Sequence, residues 1–120
     1  MPRRDELYLL DILEAAEALA GYLLDQDFAS FQSSPILRDA VERRLMVIGE
    51  AAARISDELK ASFPDLPWQE ARGIRNQIAH RYFSLSTEIV YRTAVDDIPA
   101  LARQVANILD AITDSSSDGP

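Results

Sequence analysis

The segment RNQIAHRY, residues 75–82, contains the chain's single histidine, His80, beside Arg75, Asn76, Arg81 and Tyr82. These residue types suit one kind of chemistry. An imidazole titrates near neutral pH, so it can take or give a proton. A guanidinium stays charged and grips phosphate oxygens with paired donors. Arg, Asn and His on a common surface can hold a phosphodiester and move a proton without a metal ion. In RNA the 2′-hydroxyl supplies an internal nucleophile. His80 would deprotonate it, and Arg75 would stabilise the negative charge added in the transition state. Arg72 is a candidate for a further phosphate contact, and Asn76 for holding the phosphate or orienting the imidazole.

Composition narrows the field. A chain of 120 residues with 48% hydrophobic content is long enough to bury roughly two thirds of its unfolded surface as one domain. Cysteine is absent, which excludes disulfides, a thiolate nucleophile and cysteine-ligated metal. One histidine leaves only carboxylates as co-ligands, so neither a metal nor a cofactor is expected. Twenty acidic against twelve basic residues give a net charge of -8, the wrong sign for a sequence-blind grip on nucleic acid. Any phosphate-binding surface must therefore be local. Residues 68–83 carry a local positive charge, Arg72, Arg75 and Arg81 against Glu70, although Arg81 points away from the other arginines and reads as an ordinary solvated charge. Asp5, Glu6, Asp11, Glu14 and Glu17 interrupt the N-terminal apolar run, so no signal peptide and no membrane span is expected. The expectation is a soluble, cytoplasmic protein.

The elements that must carry these residues all read as helices. Residues 4–26 place apolar groups at 9, 12, 13, 16, 19, 20 and 23, a broad helical stripe. Leu7, Leu10 and Leu24 fall outside it and suggest a second buried face. A short helical turn is expected within DFASFQSSP. Ser34 is placed to cap the next helix, with Pro35 at its first position. That helix is expected over 35–62, with apolar positions 37, 41, 45, 48, 52, 55 and 59. FPDLP breaks the chain, and a helix from Pro67 to about Phe83 follows. A last stretch, 87–113, contains Pro99, which should kink or split it. No alternating strand pattern is present. The expected fold is all-α, an antiparallel bundle of four to five helices. The domain spans 1–113, and the small polar tail 114–120 is expected to be disordered.

On a helix turning about 100° per residue, with Arg75 at zero, Ala71, Ile74 and Ile78 fall at about −40°, −100° and −60° and face the core. Arg72, Asn76 and His80 fall at about 60°, 100° and 140°, and Tyr82 near −20°. The arginines, the amide and the imidazole thus share an arc beside the buried stripe. Arg75 and His80 are nevertheless about 140° apart and do not face each other on one straight helix. Either the helix ends or bends before His80, or the groups meet through a second copy. In-line cleavage also benefits from both a base and an acid, while each chain has one histidine. A two-fold dimer would supply the second imidazole.

Arg75, polar Asn76, His80 and Tyr82 together resemble the signature of the HEPN-fold ribonucleases. The frame PW…RGIRNQIAHRYF, then EIVY and IPAL, is similar to the HepT toxin branch. RRLMVIGEAAARIS at 43–56 extends the resemblance over most of the chain, from residue 5 to about 110. The resemblance implies a HEPN-like domain and a homodimeric, metal-independent endoribonuclease, the toxin of a type VII-like toxin–antitoxin pair. Its cognate partner would be a small MNT-type nucleotidyltransferase antitoxin that silences it by transferring AMP from ATP to Tyr82. By the same resemblance, Arg75 and His80 are the catalytic pair and Asn76 the polar supporting residue.

Plainer readings stand beside these. His80 is an ordinary surface or cap histidine, Arg75 pairs with a carboxylate at the core edge, and Tyr82 is a core-edge aromatic. Trp68 and Phe83 belong to the core. Glu50, in an apolar run, pairs with Arg54 one turn on or, alternatively, orients the arginine of the site. The acidic pairs at 57–58 and 96–97 are solvated faces. At the level of function, the alternative is a non-catalytic HEPN module that binds a nucleotide or a partner protein.

Overall fold

The computed structural model describes residues 3–79 and 87–117. Among them no strand occurs, and the chain forms an all-α antiparallel bundle. α1 is Arg3–Leu23, α2 Phe28–Gln32, α3 Pro35–Arg54, α4 Asp57–Ser62 and α5 Trp68–Ala79. α6, Thr87–Arg92, runs through a π-helical segment, Thr93–Asp97, into α7, Ile98–Ser117. α3 packs between α1 and α5, and α1 also packs against α7. No helix of the described residues is long and apolar enough to cross a membrane.

The hydrophobic stripes explain this packing. Leu9, Ile12, Ala15, Ala16 and Leu19 of α1 are buried against Val41, Leu45, Ile48 and Ala52 of α3 and Val105 and Ile108 of α7 in one cluster. Each of the Leu, Ile and Val side chains contributes roughly 1.5–3 kcal/mol through its removal from water, and each alanine about 1 kcal/mol or less. Leu7, Leu10 and Leu24 remain exposed, so the expected second buried face of α1 is not formed among the described residues.

The helix ends follow from local chemistry. Asp27 caps α2, its Oδ1 accepting the Ser30 N–H at 2.8 Å. Ser34 caps α3, its Oγ accepting the Leu37 N–H at 3.1 Å, and Pro35 takes the first turn, where its missing N–H costs nothing. Tyr91 of α6 packs its ring on Phe28 and Phe31 and donates its hydroxyl to the Gln26 carbonyl at 2.8 Å.

Two boundaries differ from the sequence reading. The helix expected over 35–62 is divided at Ile55, and α4 starts afresh with Ser56 as its cap. The cause is distant in sequence. Asp5, only 2% exposed, accepts the Ser56 N–H at 2.9 Å and the Ser56 hydroxyl at 2.5 Å. A buried carboxylate requires such donors, and the Ser56 N–H can reach it only outside a continuous helix. The interruption expected at Pro99 is present, as the π-helical segment just before it. Ile98 donates its N–H to the Thr93 carbonyl five residues back, and Pro99 then occupies the first turn of α7, where it is tolerated. α7 itself continues to Ser117, beyond the expected end at 113.

Candidate phosphodiester-binding site

α5 starts from a fixed point. Its first residue, Trp68, is partly buried against the core, and the indole N–H donates to the Phe63 carbonyl at 2.9 Å. Leu66, 4% exposed, pins the preceding turn. From there the helix presents Ala71, Ile74 and Ile78 inward, all buried, as the wheel requires. Arg72, Asn76 and Gln77 are exposed on its outward side, and Arg75 lies at the edge against α3. The structure thus brings Arg72, Arg75 and Asn76 to one helix surface. His80, Tyr82, Arg81 and Phe83 lie outside the described residues.

Arg75 occupies the contact between α3 and α5. At Gly49 of α3 an added Cβ would stand 2.7 Å from the Arg75 nitrogen and 2.9 Å from its Cβ. No residue other than glycine fits there without moving a helix. The close approach sets the Arg75 stem against α3 and carries its guanidinium to the next residue, Glu50. Their Nε–Oε1 separation is 3.6 Å, with the side chains 54% and 48% exposed. Glu50 therefore pairs across helices with Arg75 and not along its own helix with Arg54. The plainer reading of Arg75, an ion pair at the core edge, holds as geometry. A pair this exposed contributes only about 0–1 kcal/mol, so an incoming phosphate can compete for the guanidinium.

Electrostatically the two sides of α5 differ. Among the described residues Arg72 has no ion-pair partner, and Asn76 beside it offers an uncharged amide. On the other side, a groove of about 560 Å³ runs between α5 and the α6–α7 segment. It has an apolar floor that includes Ile74 and Leu101, with Glu70, Asp96 and Asp97 among its lining residues. Those carboxylates give the groove the sign that disfavours a phosphate, whereas the Arg72–Asn76 side carries no carboxylate partner among the described residues. No group of three or more histidine, aspartate or glutamate side chains among the described residues is arranged to hold a metal.

Helical phase places Arg72, Arg75 and Asn76 on one arc beside the buried stripe, and α5 carries them there. Periodicity within α3 favours Arg54 as the partner of Glu50 and gives no reason for Gly49, since both contacts are made to another helix. The available signal was the pair itself, a glycine and a carboxylate interrupting the apolar run of α3.

Residues 12–108 match a family model described as "Ribonuclease HepT-like". Among similar proteins is "Putative RNase MJ1380" of Methanocaldococcus jannaschii, 34% identical over 106 residues, covering 88% of this chain and 97% of that protein. "Probable ribonuclease HepT" of Thermococcus cleftensis is 34% identical over 101 residues, covering 84% of this chain and 92% of its own length. "Putative RNase TTE0752" of Caldanaerobacter subterraneus is 34% identical over 102 residues, covering 85% and 91%. No solved structure gives a significant match.

Proposed function

The chain belongs to the ribonuclease HepT-like family, and from that premise we propose that it is a metal-independent endoribonuclease whose phosphate-binding residue is Arg75. The observation that carries this reading is the placement of Arg75. Its backbone is held at the Gly49 contact while its guanidinium remains half exposed beside Glu50. A charged group on a fixed stem stabilises developing charge without reorganising during the reaction.

The reaction is an internal transfer. The RNA 2′-oxygen attacks the adjacent phosphorus, and His80 of one protomer takes the 2′-hydroxyl proton. The bond from phosphorus to the 5′-oxygen breaks, and a second imidazole, His80 of the other protomer, protonates the leaving oxygen. The products are a 2′,3′-cyclic phosphate and a 5′-hydroxyl. Arg75 holds the non-bridging oxygens, with Arg72 and Asn76 supporting the neighbouring backbone. The homodimer is part of this proposal because each chain has one histidine.

The biological setting proposed is that of a cytoplasmic toxin with an MNT-type nucleotidyltransferase antitoxin. In that step the Tyr82 hydroxyl attacks the α-phosphorus of ATP, pyrophosphate leaves, and the phenol proton passes to solvent. The attached AMP places an anion next to Arg75 and His80 and opposes RNA entry.

The test uses end-labelled tRNA and mRNA in EDTA, with wild type, Arg75→Ala and His80→Ala compared. Cleavage by wild type and its loss in both variants is expected. RNA retained by a folded, unmodified wild type without cleavage would replace this reading with the binding-module alternative.

A further inference from the structure

Glu50 stands on the crest of α3, between two sides of the bundle. The residue before it, Gly49, touches Arg75 of α5. The residue after it, Ala51, lines a hollow of about 160 Å³ on the opposite side, between α1 and α3. Glu50 lines that hollow too, with Tyr8 and Asp11 of α1 and Arg54 of α3. One carboxylate therefore has a cation within reach on each side. Arg75 lies across the helix contact. Arg54 lies one turn further along α3, about 40° around and about 6 Å along the axis.

The Glu50–Arg75 pair is easily exchanged. Its 3.6 Å separation is longer than a hydrogen bond, and both side chains are about half exposed. A phosphate arriving at Arg75 replaces this loose pair by charge-assisted hydrogen bonds. While Glu50 stays, however, two anions share one guanidinium. Arg54 offers the carboxylate another partner. Glutamate four residues before arginine is the favourable order on a helix. Arg54 is exposed, and among the described residues no hydrogen bond or ion pair holds it. Asp11 puts a like charge on the α1 wall of the hollow, so the Arg54 guanidinium supplies the charge that admits the Glu50 carboxylate there. We infer that Glu50 is a displaceable counter-ion, which holds Arg75 in the free protein and moves to Arg54 when a phosphodiester takes the Arg75 guanidinium. This rests on the ribonuclease reading and adds Arg54 as a positioning residue that acts through Glu50 and touches no RNA.

A double-mutant cycle tests this, with wild type, Arg54→Gln, Glu50→Gln and the double variant compared. The probe is a 2′-O-methyl RNA oligonucleotide, which binds without being cut, followed by fluorescence anisotropy across a salt series. Arg54→Gln is expected to weaken binding about threefold to fivefold, the scale of one exposed ion pair. With a cleavable RNA it should raise KM and leave kcat in place. Glu50→Gln removes the competing anion and should tighten binding by a similar factor. In the Glu50→Gln background, Arg54→Gln should change binding by less than about 1.5-fold, because no carboxylate remains to be received. The slope of affinity against salt should be the same for wild type and Arg54→Gln, since Arg54 neutralises no phosphate. Arg54→Lys keeps the charge and should bind like wild type. Equal weakening by Arg54→Gln in both backgrounds, with a shallower salt slope, would make Arg54 a phosphate contact and overturn the inference. Binding by Arg54→Gln within about 1.5-fold of wild type overturns it as well. Either result leaves the ribonuclease reading intact, whereas a wild type that neither binds nor cleaves RNA would end both.

Discussion

Gly49→Ala probes the contact on which the position of Arg75 depends. The added Cβ would stand 2.7 Å from the Arg75 nitrogen, 2.9 Å from its Cβ and 3.2 Å from its Cα. Two of these atoms are backbone, and the third is fixed to it, so none can swing aside. α3 and α5 must part by several tenths of an ångström, a strain of about 1–3 kcal/mol. Against this, alanine in a helix interior gains about 1 kcal/mol over glycine. Gly73→Ala receives the same gain with no clash, because its Cβ meets nothing. Gly49→Ala should therefore be about 1–3 kcal/mol less stable than Gly73→Ala, and about 0–2 kcal/mol less stable than wild type. Urea denaturation of both variants, with unchanged slopes, reads the difference. RNA cleavage should fall further than stability, by up to about a hundredfold if Arg75 moves an ångström. Equal stability of the two alanine variants would refute the close α3–α5 approach.

Other consequences concern single polar groups. Asp5→Ala removes both acceptors from Ser56 and should cost about 2–4 kcal/mol, because charge-assisted bonds are lost and a partly buried N–H is orphaned; thermal melting that matches wild type would contradict this. Glu50→Gln should change stability by less than about 1 kcal/mol, since its ion pair is half exposed, and a larger loss in denaturation would mean that Glu50 does more than pair with Arg75. The Ser30 backbone N–H, with a smaller contribution from the Ser30 side chain, holds the Asp27 carboxyl below its ordinary range. Its charged cap therefore contributes stability above the ordinary carboxylate value and loses it as pH falls through the lower folded value. The stability difference between wild type and Asp27→Asn, which does not titrate, should stay level near neutral pH and shift against wild type in acid. A difference that stays flat through the acid range would remove the cap from the account.

Much of the bundle was legible because it rests on local rules. The stripe at 9, 12, 16 and 19, the Ser34–Pro35 start and the interruption before Pro99 each follow from residues within a turn or two of one another. The division of α3 from α4 was not legible, because its cause, Asp5, lies 51 residues from Ser56. Periodicity runs unbroken through Ile55 and Leu59, and both are buried as a continuous helix would have placed them. The site shows the same split. Helical phase gave the exposed faces of Arg72 and Asn76 and the buried faces of Ile74 and Ile78. It could not give the crossing of α3 and α5, and so could not show that Glu50 meets Arg75 or that Gly49 lets the two helices touch. Tertiary contacts of that kind depend on how helices dock, which no single helix encodes.

The most direct test of the central claim is the chemistry of the RNA ends left by wild-type protein in EDTA. The account predicts upstream fragments ending in 2′,3′-cyclic phosphate and downstream fragments starting with a 5′-hydroxyl, and no cutting at a linkage whose 2′-hydroxyl is methylated. Fragments carrying 3′-hydroxyl and 5′-phosphate ends, or cleavage that requires added divalent metal, would contradict internal attack assisted by Arg75 and His80.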